Sequence, residues 1–520
     1  MTFQSDLEKT IARVTAPALV TETSEGFKIS EDAEVSLPLA ANQAYLPALT
    51  PQTLGDEGFK KRHGLTYPYV AGAMANGISS ADLVKTMAEN GMVGFFGAGG
   101  LSLDRIEAAI IDLKESLGDK PFGFNLIHNL VEPGLEMATV ELYLKYGITL
   151  ISAAAFMRMT PALVYYRVKG IHRDGDGRIV TPNLVIAKVS RVEIARQFFA
   201  PPPVKLINQL LESGVITDEE AELSQEIPMA QDLTAEADSG GHTDNRPALA
   251  LLPTLIALKN EFMEKYNYPE PLCVGLGGGI ATPESAAAAF GMGAAYILTG
   301  TVNQSCVEAG ICEPVRKLLC QAEQADVAMA PAADMFEIGA RVQVLKRGTL
   351  FAVRAEKLYQ LYKNNDSFEQ ISETAKKEIQ DKFLLTSFEA AWQSTRDFFL
   401  ARGNEKEVAR AEQDPKHKMA LVFRSYLGQS SRWAIQGIPE RRMDYQIWCG
   451  PAIGAFNQWV RGTFLESHEN RLAAAVALNL LLGACICTRS SFLRSQGISL
   501  PGNAGNFTPI EKEKILAAIQ

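Results

Sequence analysis

The chain has 520 residues, 47% hydrophobic and 21% charged, with a formal net charge of −10. That length exceeds one ordinary core and accommodates a barrel of about 250 residues with flanking segments. The acidic balance argues against nucleic acid or an anionic membrane surface as the main partner.

The start, Met1 to Glu8, has no basic stretch followed by an apolar one, so no secretion signal is expected and the chain reads as cytoplasmic. Residues 1 to 60 mix short apolar runs with Pro38, Pro47 and Pro51 and read as a small irregular or β-containing lead-in. From about 61 to 330, apolar runs alternate with amphipathic stretches, the pattern of repeated βα units. Strands are expected at Tyr67–Ala71, Met92–Phe96, Pro121–Leu126, Leu150–Ala154, Asn183–Val189, Asp232–Ala237, Leu272–Leu276 and Ala295–Leu298. Helices are expected at Ala81–Asn90, Leu103–Leu117, Glu136–Tyr146, Val192–Phe199, Ala248–Tyr266 and Pro283–Phe290. Eight such units predict an α/β fold, a (β/α)8 TIM barrel. The stretch 201–228 holds Ile216-Thr217-Asp218-Glu219-Glu220, a helix start with an acidic first turn, and reads as a helical insertion able to act as a lid. After about 330 the strand pattern stops. Ser367–Phe383, Ser387–Ala401 and Arg471–Cys487 have helical period, so 331–520 reads as an all-α C-terminal domain. Leu472 to Thr488 is apolar but shorter than the roughly 20 residues a bilayer needs, and Asn479 interrupts it. A buried helix is the better reading.

Seven cysteines are scattered along the chain. Cys485/Cys487 and Cys306/Cys312 have neither zinc nor dithiol spacing, so no metal is expected.

The chemistry concentrates in glycine-rich turns. Gly277, Gly278 and Gly279 end one strand and open a helix, where N–H groups and the helix dipole favour an anion. Gly300 and Thr301 follow one βα unit later, where the last loops of a barrel complete a phosphate site. Spacing within Gly275–Gly279 does not fit the dinucleotide fingerprint. Gly72, Ala73 and Met74 after the first strand, and Gly97 to Gly100 after the second, leave room for a flat ring. Asn125 ends the third strand and can donate to or accept from a ring edge. Lys188 is the lone charge in Leu184-Val185-Ile186-Ala187-Lys188-Val189; it either faces an anionic ring edge or pairs with a carboxylate. His242, one of six histidines, follows Gly240-Gly241 and suits proton transfer near neutrality. Glu236 and Asp238 are alternative partners for it, and either could instead bind sugar-chain hydroxyls.

These elements, in this order, resemble the FMN-dependent barrel family of nitronate monooxygenases and flavin-type enoyl-acyl carrier protein reductases. Glu236 to Pro247, Ala333-Asp334-Met335-Phe336-Glu337, Gln343 to Thr349 and Asp444 to Pro451 narrow the likeness. They resemble the enoyl reductase component of bacterial polyunsaturated fatty acid synthases and its relatives serving polyketide synthases. The resemblance implies FMN, NADPH or NADH as electron donor, and an enoyl thioester on an acyl carrier protein domain. It also implies His242 as acid/base and the glycine turns as the FMN phosphate site. One departure stands out: Asp238-Ser239 precede the two glycines where the common form has Glu and Ala. A nitronate monooxygenase-type flavin oxidase is the alternative activity. A homodimer is the expected assembly, and Arg432, Arg441 and Arg442 are candidates for docking an acidic carrier protein. Trp448 and Trp459 mark an interface between protomers or core.

Overall fold

A computed structural model describes residues 6–31, 38–128 and 133–519; the first five residues of the expected lead-in lie outside the described ones. The lead-in contributes β1 (Ala18–Thr23), β2 (Gly26–Ser30) and β3 (Gln43–Leu46), an antiparallel sheet in the order β2-β1-β3. Then come β4 (Tyr69–Ala71), β5 (Val93–Phe96), β6 (Gly123–Ile127) and β7 (Leu150–Ala154). A short hairpin, β8 (His172–Arg173) and β9 (Ile179–Val180), precedes β10 (Leu184–Val189) and β11 (Asp232–Glu236). After β12 (Gly241–His242) follow β13 (Cys273–Gly277), β14 (Ile297–Thr299), β15 (Val327–Pro331) and β16 (Arg341–Leu345).

Eight of these close into a parallel barrel, β4-β5-β6-β7-β10-β11-β13-β14, with β14 paired back to β4. Helices between successive strands complete the expected TIM barrel. Tyr296 fills the barrel interior and Gly275 opposite it must lack a side chain, since a Cβ there would lie 2.4 Å from the ring. Helix Glu57–His63 plugs the floor. Its Phe59 stacks on Tyr296 at 4.1 Å, and its C-terminal Arg62 and His63 both reach buried Asp232, the first residue of β11. Arg62 Nη1 lies 2.7 Å from one carboxylate oxygen and His63 Nε2 2.8 Å from the other.

The insertion folds as helices Val204–Glu212 and Asp218–Leu223, the second opened by the expected Thr217 capping box. It lies between the end of helix Val192–Phe199 and the start of β11, so it belongs to the N-terminal end of the barrel strands. Glu220 accepts the Gly170 N–H at 2.7 Å there, and fully buried Arg167 donates to Pro228 O at 3.0 Å and Asn183 O at 2.6 Å. The lid reading is therefore corrected: ligand-binding loops of such barrels are at the opposite end.

The chain forms two compact units whose bounds differ from the expected segments. One comprises residues up to Asp238, Asp244–Gly310 and Ala455 onward; the other comprises Ser239–Thr243 and Ile311–Gly454. The long apolar helix Ala473–Ser495 belongs with the barrel. It is long and apolar enough to cross a membrane by composition, but it is mostly buried, and Gly483 brings it against Pro283. Asn479, the interruption in its apolar run, donates to Ile510 O and accepts from Ile510 N, each at 2.8 Å. Arg489 donates to Ile11 O and Thr10 O, each at 2.9 Å, and staples the lead-in to this helix.

The second unit is helical around a small antiparallel sheet, β12-β16-β15. The expectation of no strands past 330 fails at β16, which pairs antiparallel with the nearby β15 on one edge and with the sequence-distant β12 on the other. The stretch 367–383 is not one helix either. It is a 3-10 turn at Phe368–Gln370, helix Glu373–Glu378 and a π turn over Ile379–Leu384. Its core includes Phe336, Phe383, Trp392, Phe423 and Tyr426.

Candidate active site

The barrel mouth, the C-terminal end of its strands, gathers most of the expected binding residues. Gly72 N donates to Thr299 O at 2.9 Å, joining the loop after β4 to the end of β14. Ser79 folds that loop back on itself: its hydroxyl donates to Gly72 O and accepts from Met74 N, both at 2.9 Å. Ala73 and Met74 are thereby held close in sequence to a residue bonded at Thr299, which precedes Gly300. On the neighbouring strands, the Asn125 carbonyl accepts from Gly99 N at 3.2 Å and fixes the glycine loop after β5.

The glycine turns after β13 and β14 lie at the same end of the barrel. Gly278 and Gly279 have φ of +89° and +78°, conformations that side-chain-bearing residues rarely adopt. A Cβ on Gly278 would meet the Ala237 backbone at 2.7 Å, whereas at Gly279 and Gly300 nothing lies within 4 Å. Gly277 is in register with Glu236 on one side and Leu298 on the other. Gly300 is the N-cap of the short helix Thr301–Gln304. Among the described residues no carbonyl takes the N–H of Gly279 or Gly300. Two N–H groups without a carbonyl partner, one in the turn ahead of helix Pro283–Gly291 and one at the N-cap of Thr301–Gln304, fit an anionic group such as a phosphate.

Lys188 pairs with Glu236 across β10 and β11, Nζ to Oε1 2.8 Å, both partly buried. This is the carboxylate pairing considered for Lys188, and it leaves the pair inside the mouth. Glu236 is thus committed to Lys188, and Asp238 accepts from the Asn245 amide at 2.7 Å.

His242 instead lies 3.1 Å from Asp334, Nε2 to Oδ1, within the second unit. Burial pushes the Asp334 carboxyl up, but the hydrogen bond and charge of His242 outweigh this and hold it below its ordinary value. Sequence reasoning offered Glu236 and Asp238, whereas the carboxylate at hydrogen-bond distance from His242 is that of Asp334. Asp334 lies 92 residues away, in one of the stretches that carried the family likeness. The segment Ser239–Thr243 leaves the barrel just after β11 and returns at once. Asp238 N donates to Arg246 O at 3.0 Å, closing the neck of this loop. Asp244 is anchored to Arg191, Oδ2 to Nε 2.9 Å, and that hydrogen bond with the arginine charge pulls its carboxyl down to about 2. β12 pairs antiparallel with β16, His242 opposite Val342. Gly240 does not clear space for a ligand: a Cβ there would meet the Cys449 backbone at 2.8 Å.

The proposed basic dock is altered by the fold. Arg441 turns inward, stacking over Trp433 at 4.2 Å and donating to Leu384 O at 2.7 Å, while Arg432 and Arg442 are exposed. Trp448 packs against the core of the second unit, and Trp459 donates to Phe507 O at 2.9 Å in the first. Both are half-buried.

Comparison with known proteins agrees with this geometry. Residues 58–387 match the family model described as nitronate monooxygenase, so the chain belongs to that family of barrel oxidoreductases. Residues 365–445 match the inserted helical domain of [acyl-carrier-protein] S-malonyltransferase. Within the barrel family the chain groups with synthase proteins. It is 46% identical over 88% of its length to a component of the polyunsaturated fatty acid synthase of a Thraustochytrium species. It is 43% identical over 86% to polyketide biosynthesis protein PksE of Bacillus subtilis. The chain spans 31% and 58% of those two proteins. The enoyl reductase domain of MlnA, from the macrolactin biosynthesis cluster of Bacillus amyloliquefaciens, superposes with a TM-score of 0.80 at 38% identity. That match covers 86% of this chain and 99% of that domain.

Proposed function

We propose that this chain is an FMN-dependent trans-2-enoyl thioester reductase that draws electrons from NADPH or NADH and acts on acyl groups carried by a synthase's acyl carrier protein. The observation that carries the proposal is the pair of glycine turns after β13 and β14, whose free N–H groups fit the phosphate of a flavin mononucleotide. Gly277–Gly279, Gly300 and Thr301 would hold that phosphate; Gly72, Ala73, Met74 and Asn125 would line the ring. Bound there, the flavin supplies hydride transfer from the nicotinamide to the β-carbon of the enoyl thioester.

The remaining work falls to the protein. Lys188 places a cation near the ring edge, and Glu236 balances that charge while the ring is neutral. His242, oriented by Asp334, donates a proton to the α-carbon as the double bond is reduced. The likeness to the MlnA enoyl reductase domain supports the reaction class. A probable nitronate monooxygenase of Bacillus subtilis is more distant, at 25% identity over 52% of this chain.

The test is anaerobic mixing of the flavin-loaded protein with NADPH, then with an enoyl thioester. Bleaching by NADPH and recovery with the thioester is the expected result. Recovery only with oxygen or a nitronate substrate would overturn it in favour of the oxidase.

A further inference from the structure

His128, the first residue beyond β6, sits in a buried cluster that neither the sequence reading nor the proposed reaction uses. Its N–H donates to Ala154 O of β7 at 3.3 Å, and its Nδ1 lies 3.0 Å from Glu136 Oε2. The other oxygen of Glu136 accepts the hydroxyl of Thr160, which caps helix Pro161–Val168 by accepting from Leu163 N at 3.2 Å. The side chains of His128 and Glu136 are 5% and 3% exposed. The His128 ring stacks on Phe156, centroids 5.4 Å apart, and Phe156 meets Phe198 edge-on at 6.3 Å. His128 Nε2 is buried with no hydrogen-bond partner among the described residues.

Together these contacts grip the loop after β7 at both ends, at Phe156 and at Thr160. Between β7 and the grip, Ala155 has φ of +61°, a conformation unfavourable for a non-glycine residue that persists only when its surroundings impose it. The apex of the loop, Met157 and Arg158, is exposed. A phenyl ring at position 128 would stack equally well without the penalty of burying an orphan nitrogen. An imidazole there is explained by what Nδ1 does: it locks Glu136, and through it Thr160. In the closed strand order β6 and β7 stand across from β13 and β14, so this loop forms the rim opposite the phosphate cradle.

We propose that His128 is a positioning residue, whose latch through Glu136 and Thr160 holds the Ala155–Thr160 loop as a wall for the acyl chain of the substrate, with Met157 as its apolar face. The inference rests on the proposed reductase reading and deepens it to substrate selection. It predicts a dependence on chain length that a general packing defect would not produce.

The test compares wild type with His128→Leu, His128→Asn and Thr160→Val on a four-carbon and a long-chain enoyl thioester, each variant checked for flavin content. His128→Asn keeps a donor where Nδ1 stood and gives up the rest of the ring, Nε2 and the stack on Phe156 included. Expected is a KM for the long-chain substrate raised about tenfold in His128→Leu and in Thr160→Val, as for loss of one buried hydrogen bond. The four-carbon substrate should be little changed in those variants, and His128→Asn should be near wild type on both. Equal losses on both substrates, or none, would overturn the wall. Failure of His128→Asn to rescue would overturn the latch. Should His128→Leu not fold, Thr160→Val decides alone. A wild type that binds flavin yet reduces neither thioester would overturn the reductase reading itself.

Discussion

The two ends of the barrel handle polar groups in opposite ways. At the floor, Asp232, Arg62, His63 and Arg167 satisfy one another or nearby carbonyls, though one Arg167 nitrogen and the Gln231 side-chain carbonyl have no partner among the described residues. At the mouth, the N–H groups of Gly279 and Gly300 have no carbonyl partner among the described residues, a lysine–carboxylate pair stands half-buried, and a non-glycine residue is held in a left-handed conformation. Closed networks of the first kind serve stability, because removing one member leaves the others buried without partners. Open donors and strained turns of the second kind are tolerated where a ligand completes them. One fold thus separates the groups that hold it together from those it offers for chemistry.

That comparison can be broken by substitution, beginning with the largest effect. His242→Ala should lower thioester reduction by roughly 10²–10⁴-fold, the usual worth of a positioned acid, with flavin content and melting temperature retained. Steady-state assays at matched flavin loading measure it, and an unchanged rate would remove His242 from the reaction. Asp232→Ala should do the reverse. It strands Arg62 and His63 in the floor and should cost about 3–5 kcal/mol of stability by denaturant titration, with little change in turnover of the protein that remains folded. A smaller contrast separates two adjacent glycines. Gly278→Ala drives a Cβ into the Ala237 backbone and should empty the site of flavin. Gly279→Ala meets open space and carries only backbone strain, so most flavin should remain. Equal retention in both would argue against the cradle geometry.

The smallest effect is a pH dependence. Asp244 is held near about 2 by Arg191. Glu337 is held there by His417 and Arg424 against the upward push of its burial. Both folded carboxyls titrate below their unfolded value of about 4. Their contribution is therefore present above that value and is lost as pH falls from about 4 toward 2. Melting temperatures should be flat from pH 7 to 5 and fall below 4, and Asp244→Asn should flatten part of that fall. Since Asp244 is partly exposed, added salt should weaken its share.

How much of this was legible depended on how local the cause was. Helices Leu103–Leu117, Val192–Phe199 and Ala248–Tyr266 run as their periodicity implied, because the apolar spacing is written within each. The barrel strands were legible as apolar runs, and β4, β5, β13 and β14 also end in or run into glycine. β12 was not: two residues carry no period, and Gly241 and His242 are strand only because β16 pairs with them from about a hundred residues away. The same distance hid Asp334 behind the nearer carboxylates Glu236 and Asp238. Arg441 read as surface charge because nothing local announces that Trp433 and Leu384 O will receive it. The latch at His128 was missed for a similar reason: its three members lie on separate elements.

The central claim is that the mouth is built around a phosphate. Titrating flavin-free protein with FMN and with riboflavin, which lacks only that phosphate, tests it most directly through quenching of flavin fluorescence. The account predicts FMN bound at least about 100-fold more tightly, the equivalent of a few charge-assisted hydrogen bonds. Equal affinity for the two, or binding of neither, would contradict it.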